Sequence, residues 1–222
     1  MTERVLVVAP HPDDETLGCG GTLLRMKDSG AQLGWLIVTR ISEEQGFTPQ
    51  RVQSRDVEID KVKDLVGFSE VFHLAMPTRQ LDVMPMAELI EQFAAVFRDF
   101  KPEHVFLPHR SDVHSDHRVV FDAGAACAKW FRYPTVRRLL SYETLSETDF
   151  CLDTRSPFQP NCFVDITAYL ERKLEIVAAY ESEIGEFPFP RSIAALRALA
   201  AVRGAAAGFM AAEAFMLLRE RQ

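Results

Sequence analysis

Short apolar runs alternate with longer helix-compatible segments along most of the chain. Arg4–Ala9 is a β-branched run without alternation, typical of a strand buried on both faces, and helix-compatible sequence follows from Glu15 to Lys27. The same order recurs three times, as Trp35–Thr39 then Gln50–Leu65, Val71–Met76 then Met86–Phe100, and His104–Pro108 then His117–Phe131. This alternation predicts a single Rossmann-like, doubly wound, mostly parallel sheet with helices on both faces.

The remainder of the chain departs from this alternation. We predict a strand at Arg138–Tyr142 and then a long functional loop over Leu145–Asn161, which is rich in Ser, Thr, Pro and Asp and has no period. Helical periodicity returns at Ile166–Ser182 and again after Ser192, on either side of a proline cluster. The pattern therefore predicts one domain over residues 1–222, with a helical C-terminal portion over about residues 165–222.

The composition restricts the kinds of molecule that the protein is expected to bind. The formal net charge is −7 at pH 7, and no Lys/Arg-rich run offsets the acidic surplus. This argues against a protein that binds nucleic acid regardless of its sequence. The length of 222 residues suits one domain around one core. We therefore expect one site for a small molecule.

We expect a cytoplasmic protein with no integral membrane span. The N-terminal apolar run is far shorter than that of a signal peptide. The four cysteines show neither a CxxC pair nor zinc-finger spacing, so a thiolate zinc site is not expected. The Ala-rich tail Ile193–Leu218 is long enough to span a bilayer, but Arg197, Arg203 and Glu213 interrupt it. We predict a buried helix there.

Two segments hold nearly all the informative His and Asp residues. They are PHPDDE at Pro10–Glu15 and DVHSDH at Asp112–His117, and both follow predicted strand ends. The carboxyl ends of parallel strands meet at one edge of the sheet, so these two clusters can converge on one metal ion.

The spacing within the two segments predicts a metal site with three protein ligands. His11 and Asp14 are three positions apart on a strand-to-helix turn, so both side chains can face one ion while Asp13 points past it. His117 can supply the third ligand. A His, His, Asp set leaves a coordination position for water, as catalytic Zn²⁺ sites require.

Further residues of the same segments suit catalysis. Asp13, near the ion but unbound, is a candidate general base. We predict that His114 stabilises an oxyanion as an imidazolium oriented by Asp116. Glu15 suits either the charge of a helix N-terminus or support of the ligands. A single His or Asp after a strand is more often a helix cap, but two such clusters together favour a functional site.

These motifs resemble those of the LmbE-like or PIG-L-like N-acetylglucosaminyl deacetylases, which carry HPDDE after the first strand and a later HxDH. The resemblance implies that the metal ligands are His11, Asp14 and His117, that the base is Asp13, and that His114 with Asp116 stabilises the oxyanion.

The resemblance also implies an activity. It indicates a Zn²⁺-dependent hydrolase that removes the N-acetyl group from an N-acetylated sugar or glycoconjugate, releasing acetate and a free amine, and it favours a homo-oligomer. Arg55 and Glu58 resemble the family's RxxE pair, which places Arg55 near the substrate; the alternative for this pair is an exposed helix salt bridge. Which sugar is the substrate stays open.

Three other functions compete with this interpretation. Gly18, Gly20 and Gly21 open the first helix as in nucleotide-binding domains, but Leu23 stands where GxGxxG needs glycine, so we expect these glycines to permit close helix packing. A metal-dependent phosphoesterase usually assembles two metals, and one clean ligand set is present. A catalytically silent sugar-binding protein is disfavoured because Asp13 is retained together with His114.

The loop Leu145–Asn161, with the loops after Arg40 and Pro77, is predicted to control substrate choice. A long aperiodic segment inside a compact domain usually binds or covers something. Three of its residues offer an apolar face and polar groups suited to a sugar: Arg155, Phe158 and Gln159.

Overall fold

The computed structural model describes residues 2–222 and shows the predicted alternation of strands and helices. The elements up to residue 142 are β1 (Arg4–Ala9), α1 (Asp14–Asp28), β2 (Gln32–Arg40), α2 (Pro49–Val66), β3 (Glu70–Pro77), α3 (Met86–Phe100), β4 (His104–Pro108), α4 (Ser115–Ala126) and β5 (Arg138–Tyr142). The bounds of β1, α3, β4 and β5 are those predicted. Helix α4 begins two residues earlier than predicted and ends at Ala126 rather than Phe131.

Seven strands form one sheet in the order β3-β2-β1-β4-β5-β7-β6. Strands β1 to β5 pair in parallel. The chain moves outward in one direction from β1 to β3 and in the other from β4 to β5. The reversal lies between β1 and β4, and in doubly wound sheets ligands bind at this point, beyond the carboxyl ends of the strands.

The C-terminal part differs from the prediction. It contains β6 (Cys162–Asp165), α5 (Leu170–Val177), α6 (Ile193–Ala207) and β7 (Ala212–Glu220), with β7 antiparallel to both β5 and β6. The predicted helix is therefore wrong from Gly208 onward, where a left-handed backbone (φ 80°) ends α6. The predicted burial is also wrong, since only Leu196, Ala200 and Gly204 of α6 are buried. A short Ala-rich sequence shows neither a helical nor an alternating apolar pattern, so the change from helix α6 to strand β7 cannot be recognised in it.

Helices cover both faces of the sheet, as predicted. The apolar residues of α1, α2 and α5 pack on one face, and those of α3 and α4 pack on the other. The glycines of α1 permit close packing, also as predicted: a Cβ on Gly21 would lie 2.8 Å from the Cβ of Ile166. Among residues 2–222, no helix combines the length and apolar character needed to cross a bilayer.

A buried ion pair joins α1 to the C-terminal part. The Glu213 carboxylate in β7 accepts the backbone N–H groups of Gly21 (2.8 Å) and Thr22 (2.7 Å), and the Lys173 ammonium in α5 lies 2.7 Å from the same carboxylate. Lys173 also donates to the carbonyl of Leu17. Helix α1, which begins at the candidate site, is therefore held by β7, the last strand in the sequence.

Candidate metal centre and cavity

The three predicted metal ligands lie together where the loops after β1 and β4 meet. One oxygen of Asp14, Oδ2, is 3.3 Å from Nδ1 of His11 and 3.3 Å from Nε2 of His117. One ligand atom from each of the three residues lies within 4.8 Å of the other two. The side chains of His117 and Asp14 are buried, whereas that of His11 is partly exposed to the cavity.

The surroundings of the two imidazoles fit a divalent metal ion. Nδ1 of His117 is 2.8 Å from Oδ2 of Asp112, and Nε2 of His11 is 3.1 Å from Oδ2 of Asp116. A carboxylate on one ring nitrogen fixes the ring and directs the other nitrogen to a metal. Nε2 of His117 is buried and has no hydrogen-bond partner, a costly arrangement that a metal ion would relieve. Sequence analysis assigned no role to Asp112.

His11, His114 and Asp116 form a second close group. Its members already bond elsewhere: Asp116 accepts from Nε2 of His11 and from the backbone N–H groups of Arg79 (2.7 Å) and Leu81 (3.3 Å). The group of His11, Asp14 and His117 therefore fits a metal ion better.

The electrostatics of the cluster favour a cation. Burial alone would raise the pKa of Asp14, but the imidazoles of His117 and His11 hold it well below its usual range. Burial alone would lower the pKa of His11, but the carboxylates of Asp116 and Asp14 raise it to about 9. These carboxylates create a negative potential at the point that the three candidate ligands face.

Asp13 is not a member of either candidate ligand group. Its backbone has φ 139°, a strained value for a residue with a side chain, and its N–H donates to Oε2 of Glu15 at 3.0 Å. Its carboxylate accepts from Nη1 of Arg191 at 2.8 Å. Burial and the nearby charge of Asp14 raise the pKa of Asp13 to about 8. Sequence analysis missed Arg191, which lies in the PFPRS segment far along the chain.

Glu15 supports the motif from within the core. It is fully buried, and besides the N–H of Asp13 it accepts the hydroxyls of Thr16 (2.6 Å) and Tyr180 (2.7 Å). Burial raises its pKa to about 7. Of the two interpretations drawn from the sequence, support of the ligand-bearing turn is the one these contacts favour.

The contacts of His114 differ from those expected for an imidazolium that bonds the carboxylate of Asp116, whose Oδ2 lies 4.0 Å from Nδ1 of His114. Its Nδ1 accepts the backbone N–H of Asp116 at 3.1 Å, and the carboxylate of Asp116 is turned toward His11 instead. Burial and the neighbouring His11 and His117 lower the pKa of His114 to about 4. His114 is therefore neutral near pH 7, with its proton on Nε2, where the ring can still donate a hydrogen bond.

Arg55 is buried rather than part of an exposed salt bridge. It donates to the carbonyl of Pro12 and to Glu183, and its Nε is 3.2 Å from Glu58. Glu183 also accepts from Arg51 and from Arg191. Arg55 thus stabilises the turn that carries His11 and Asp13. It also lines the cavity, and its contact with substrate stays a prediction.

A cavity of about 570 Å³ lies over the cluster. Its walls include residues of the loops after β2 and β3, as predicted, and of the segment after β5; they include Arg40, Ile41, Thr78, Arg79, Ser146 and Glu147.

The residues singled out in the long loop lie elsewhere. Arg155 is exposed and pairs with Asp153, while Phe158 packs against His109 and under Arg203. None of Arg155, Phe158 and Gln159 lines the cavity, so direct sugar contact by these residues is not supported. Ser146 and Glu147 are the members of this loop that line the cavity.

Comparison with known proteins finds related sequences and folds. The model of the PIG-L family, described as GlcNAc-PI de-N-acetylase, matches residues 6–128. Diacetylchitobiose deacetylase of Thermococcus kodakarensis is 26% identical, over 86% of this chain and 76% of the relative. A conserved protein of Thermus thermophilus is 30% identical with a TM-score of 0.79, covering 100% of this chain and 97% of that one.

The same fold also occurs with a different activity. The 4-carboxy-2-hydroxymuconate hydratase GalB of Pseudomonas putida has a TM-score of 0.77 at 16% identity, covering 100% of this chain and 98% of that chain. At that identity the likeness concerns the fold alone, so the chemistry has to be argued from the side chains at the site.

Proposed function

This chain belongs to the PIG-L family of GlcNAc-PI de-N-acetylases, and on that premise we propose that it is a Zn²⁺-dependent N-deacetylase of an N-acetylated sugar. One observation carries the proposal: His11, Asp14 and His117 converge at the β1 and β4 strand ends, and Asp13 lies beside them outside the ligand set. In the reaction, water adds to the acetyl carbonyl and the C–N bond breaks, which releases acetate and a free amine.

The metal would be held by Nδ1 of His11, Oδ2 of Asp14 and Nε2 of His117. A zinc ion supplies Lewis-acid chemistry, polarising an amide carbonyl and acidifying water. Asp112 and Asp116 would orient the two imidazoles from their outer nitrogens. Asp116 is thus proposed to position His11 rather than His114.

Asp13 is the proposed general base in its ionised form, because a divalent cation bound to Asp14 would lower the pKa of Asp13 from its raised value in the metal-free site. Its carboxylate would take the proton of the attacking water and deliver it to the leaving nitrogen. Arg191, 2.8 Å away, holds this carboxylate on the cavity side of the turn, and the Glu15 hydrogen bond holds its backbone. Both contacts fix the carboxylate before substrate arrives, which lowers the entropic cost of the reaction.

His114 is proposed to donate from Nε2 to the oxygen of the tetrahedral intermediate. A neutral imidazole can do this, because its Nδ1 is already used as an acceptor from the N–H of Asp116. The ring centroid lies 4.5 Å from that of His11, so the donor stands close to the proposed ligand set.

The proposal of an N-acetylated sugar as substrate rests on the volume of the cavity and on the relatives. A volume of about 570 Å³ lies within the usual range for a small-molecule site. The relative from Thermococcus kodakarensis is a diacetylchitobiose deacetylase, and we transfer from it the N-acetylated sugar but not the particular disaccharide. Arg55, which lines the cavity, is the proposed contact for the sugar.

Acetate release from N-acetylhexosamine glycosides tests the proposal, with the chelated protein as control. We expect release by the Zn²⁺-loaded protein and none after chelation. A loaded protein that releases no acetate from any N-acetylated sugar would contradict the proposal. Hydration of an unsaturated carboxylate without any amine product would indicate that the protein shares the chemistry of GalB instead.

A further inference from the structure

Arg79 lies in the loop after β3 in a left-handed backbone conformation, with φ 61°. Residues with a Cβ seldom adopt this region, and such strain persists only where surrounding contacts impose it. The N–H of Arg79 donates to Oδ2 of Asp116 at 2.7 Å, and the N–H of Leu81 donates to Oδ1. Since Asp116 also bonds His11, the loop is tied to the proposed metal ligands.

Arg79 is an exposed residue of the cavity wall, and its guanidinium lies over an aromatic ring. It lies 5.5 Å from the centroid of Phe47, which also lines the cavity. The segment of Phe47 is joined to the Arg79 loop, because Gln45 donates from Nε2 to the carbonyl of Thr78 at 3.0 Å. Stacking on an aromatic face leaves the N–H fork of an arginine free to bind a ligand.

Arg79 differs in its pairing from every other arginine of the cavity. Each of the other four forms an ion pair: Arg40 with Asp56, Arg51 and Arg55 with Glu183, and Arg191 with Asp13. Within residues 2–222, no carboxylate lies within 4.0 Å of the Arg79 guanidinium. Two other carboxylates of the cavity wall, those of Asp56 and Asp60, belong to α2 and not to the loop of Arg79.

We propose that Arg79 binds an anionic group, a carboxylate or a phosphate, on the part of the substrate attached to the N-acetylated sugar. The inference rests on the proposed deacetylase function and makes Arg79 a determinant of specificity. A planar guanidinium binds either anion through two parallel hydrogen bonds. The backbone of Arg79 is held beside Asp116, the residue that bonds His11, and its guanidinium extends from there to Phe47. The anion would therefore lie next to the reacting sugar rather than on it.

Three derivatives of N-acetylglucosamine provide the test: the methyl glycoside, the 1-phosphate and the carboxymethyl glycoside. The readout is the ratio of kcat/KM for each anionic compound to that for the methyl glycoside. We expect the wild type to favour at least one anion, and the two anionic compounds distinguish phosphate from carboxylate. Arg79→Gln should lower that ratio by about tenfold or more, mainly through KM.

Two further variants separate specificity from structure. Arg79→Gly keeps the left-handed backbone without strain, so it should lose the preference for the anion while Tm and bound metal stay as in the wild type. Arg172→Gln removes the same charge from an exposed helix position that pairs with Glu175, and it should leave the ratio unchanged.

The outcomes distinguish the two proposals. Wild-type hydrolysis with an equal ratio in Arg79→Gln would overturn the role of Arg79 and leave the deacetylase proposal standing. Hydrolysis of none of the three compounds by the Zn²⁺-loaded wild type would overturn both.

Discussion

The carboxylate of Asp112 lies 2.8 Å from Nδ1 of His117, and both side chains are buried. Asp112 is itself held by the hydroxyl of Thr148, 2.6 Å from Oδ1. His117 thus has one ring nitrogen fixed by a carboxylate and the other directed at Asp14. The position of the imidazole is set by a residue that never reaches the proposed metal.

Asp112→Ala should weaken zinc binding by about 10- to 100-fold, the usual effect of removing a carboxylate that orients a metal-bound histidine. Competition with a chromogenic chelator measures the affinity. Asp122→Ala, which removes an exposed carboxylate paired with Arg110, is the matched control. Equal affinity in the two variants would show that Asp112 has no part in metal binding.

Removing the metal should abolish acetate release, and adding Zn²⁺ should restore it, because the proposed chemistry needs a Lewis acid. One zinc per chain is expected by elemental analysis, since both candidate ligand groups share His11 and therefore describe one site. His117→Ala should fail to recover activity with zinc. Full turnover by the metal-free protein would contradict the mechanism.

Asp13→Asn should retain zinc but lower kcat by roughly two to four orders of magnitude, the usual range for a general acid/base. Stopped assays of acetate release, together with metal analysis of the same sample, measure both quantities. Loss of zinc in this variant would mean that Asp13 is a ligand and that the roles of Asp13 and Asp14 are exchanged.

His114→Ala should keep its metal and lose about 2–4 kcal/mol of transition-state stabilisation, as for removal of an oxyanion donor. If the His114 ring acts as a neutral hydrogen-bond donor, a side chain that keeps an N–H group should replace it in part. His114→Gln, which keeps an N–H donor without a titratable group, should retain more activity than His114→Ala. If turnover in both variants equals that of the wild type, His114 acts only as the N-terminal cap of α4.

Glu213→Ala should destabilise the fold by about 3–5 kcal/mol, because it leaves the Lys173 ammonium buried without a counter-ion. It also leaves two backbone N–H groups of α1 without an acceptor. Lys173→Met should cost less, since methionine fills the same space without charge. Urea unfolding of both variants measures the difference, and equal costs would contradict a special role for the carboxylate.

The parallel half of the fold and the proximity of His11, Asp14 and His117 could be predicted from the sequence because the signals are local. Each parallel strand is a short apolar run, and the motif from His11 to Glu15 lies at the end of one. Strand β7 could not be predicted in the same way. Its first four residues, 212–215, are buried next to an Ala-rich helix, so neither an alternating nor a helical period distinguishes them.

The partners of the site residues could not be predicted for a different reason. Arg191 meets Asp13 across 178 positions of sequence, and nothing local marks the pair. The contacts of His114 could not be predicted, because its proximity to Asp116 in sequence suggested a hydrogen bond to the carboxylate of Asp116. In the fold that carboxylate faces His11, and the backbone N–H of Asp116 is the group that meets His114.

The bonds from Glu213 to Gly21 and Thr22 have a consequence for biosynthesis. The ribosome makes the chain from its N-terminus, so α1 and the HPDDE turn emerge about 190 residues before the carboxylate that anchors them. Strand β5 likewise has one unpaired edge until β7 has been synthesised. The proposed zinc ligands are therefore all synthesised well before the strand that holds their helix in place. A ribosome-bound chain stalled before residue 213 should bind zinc more weakly than the released protein.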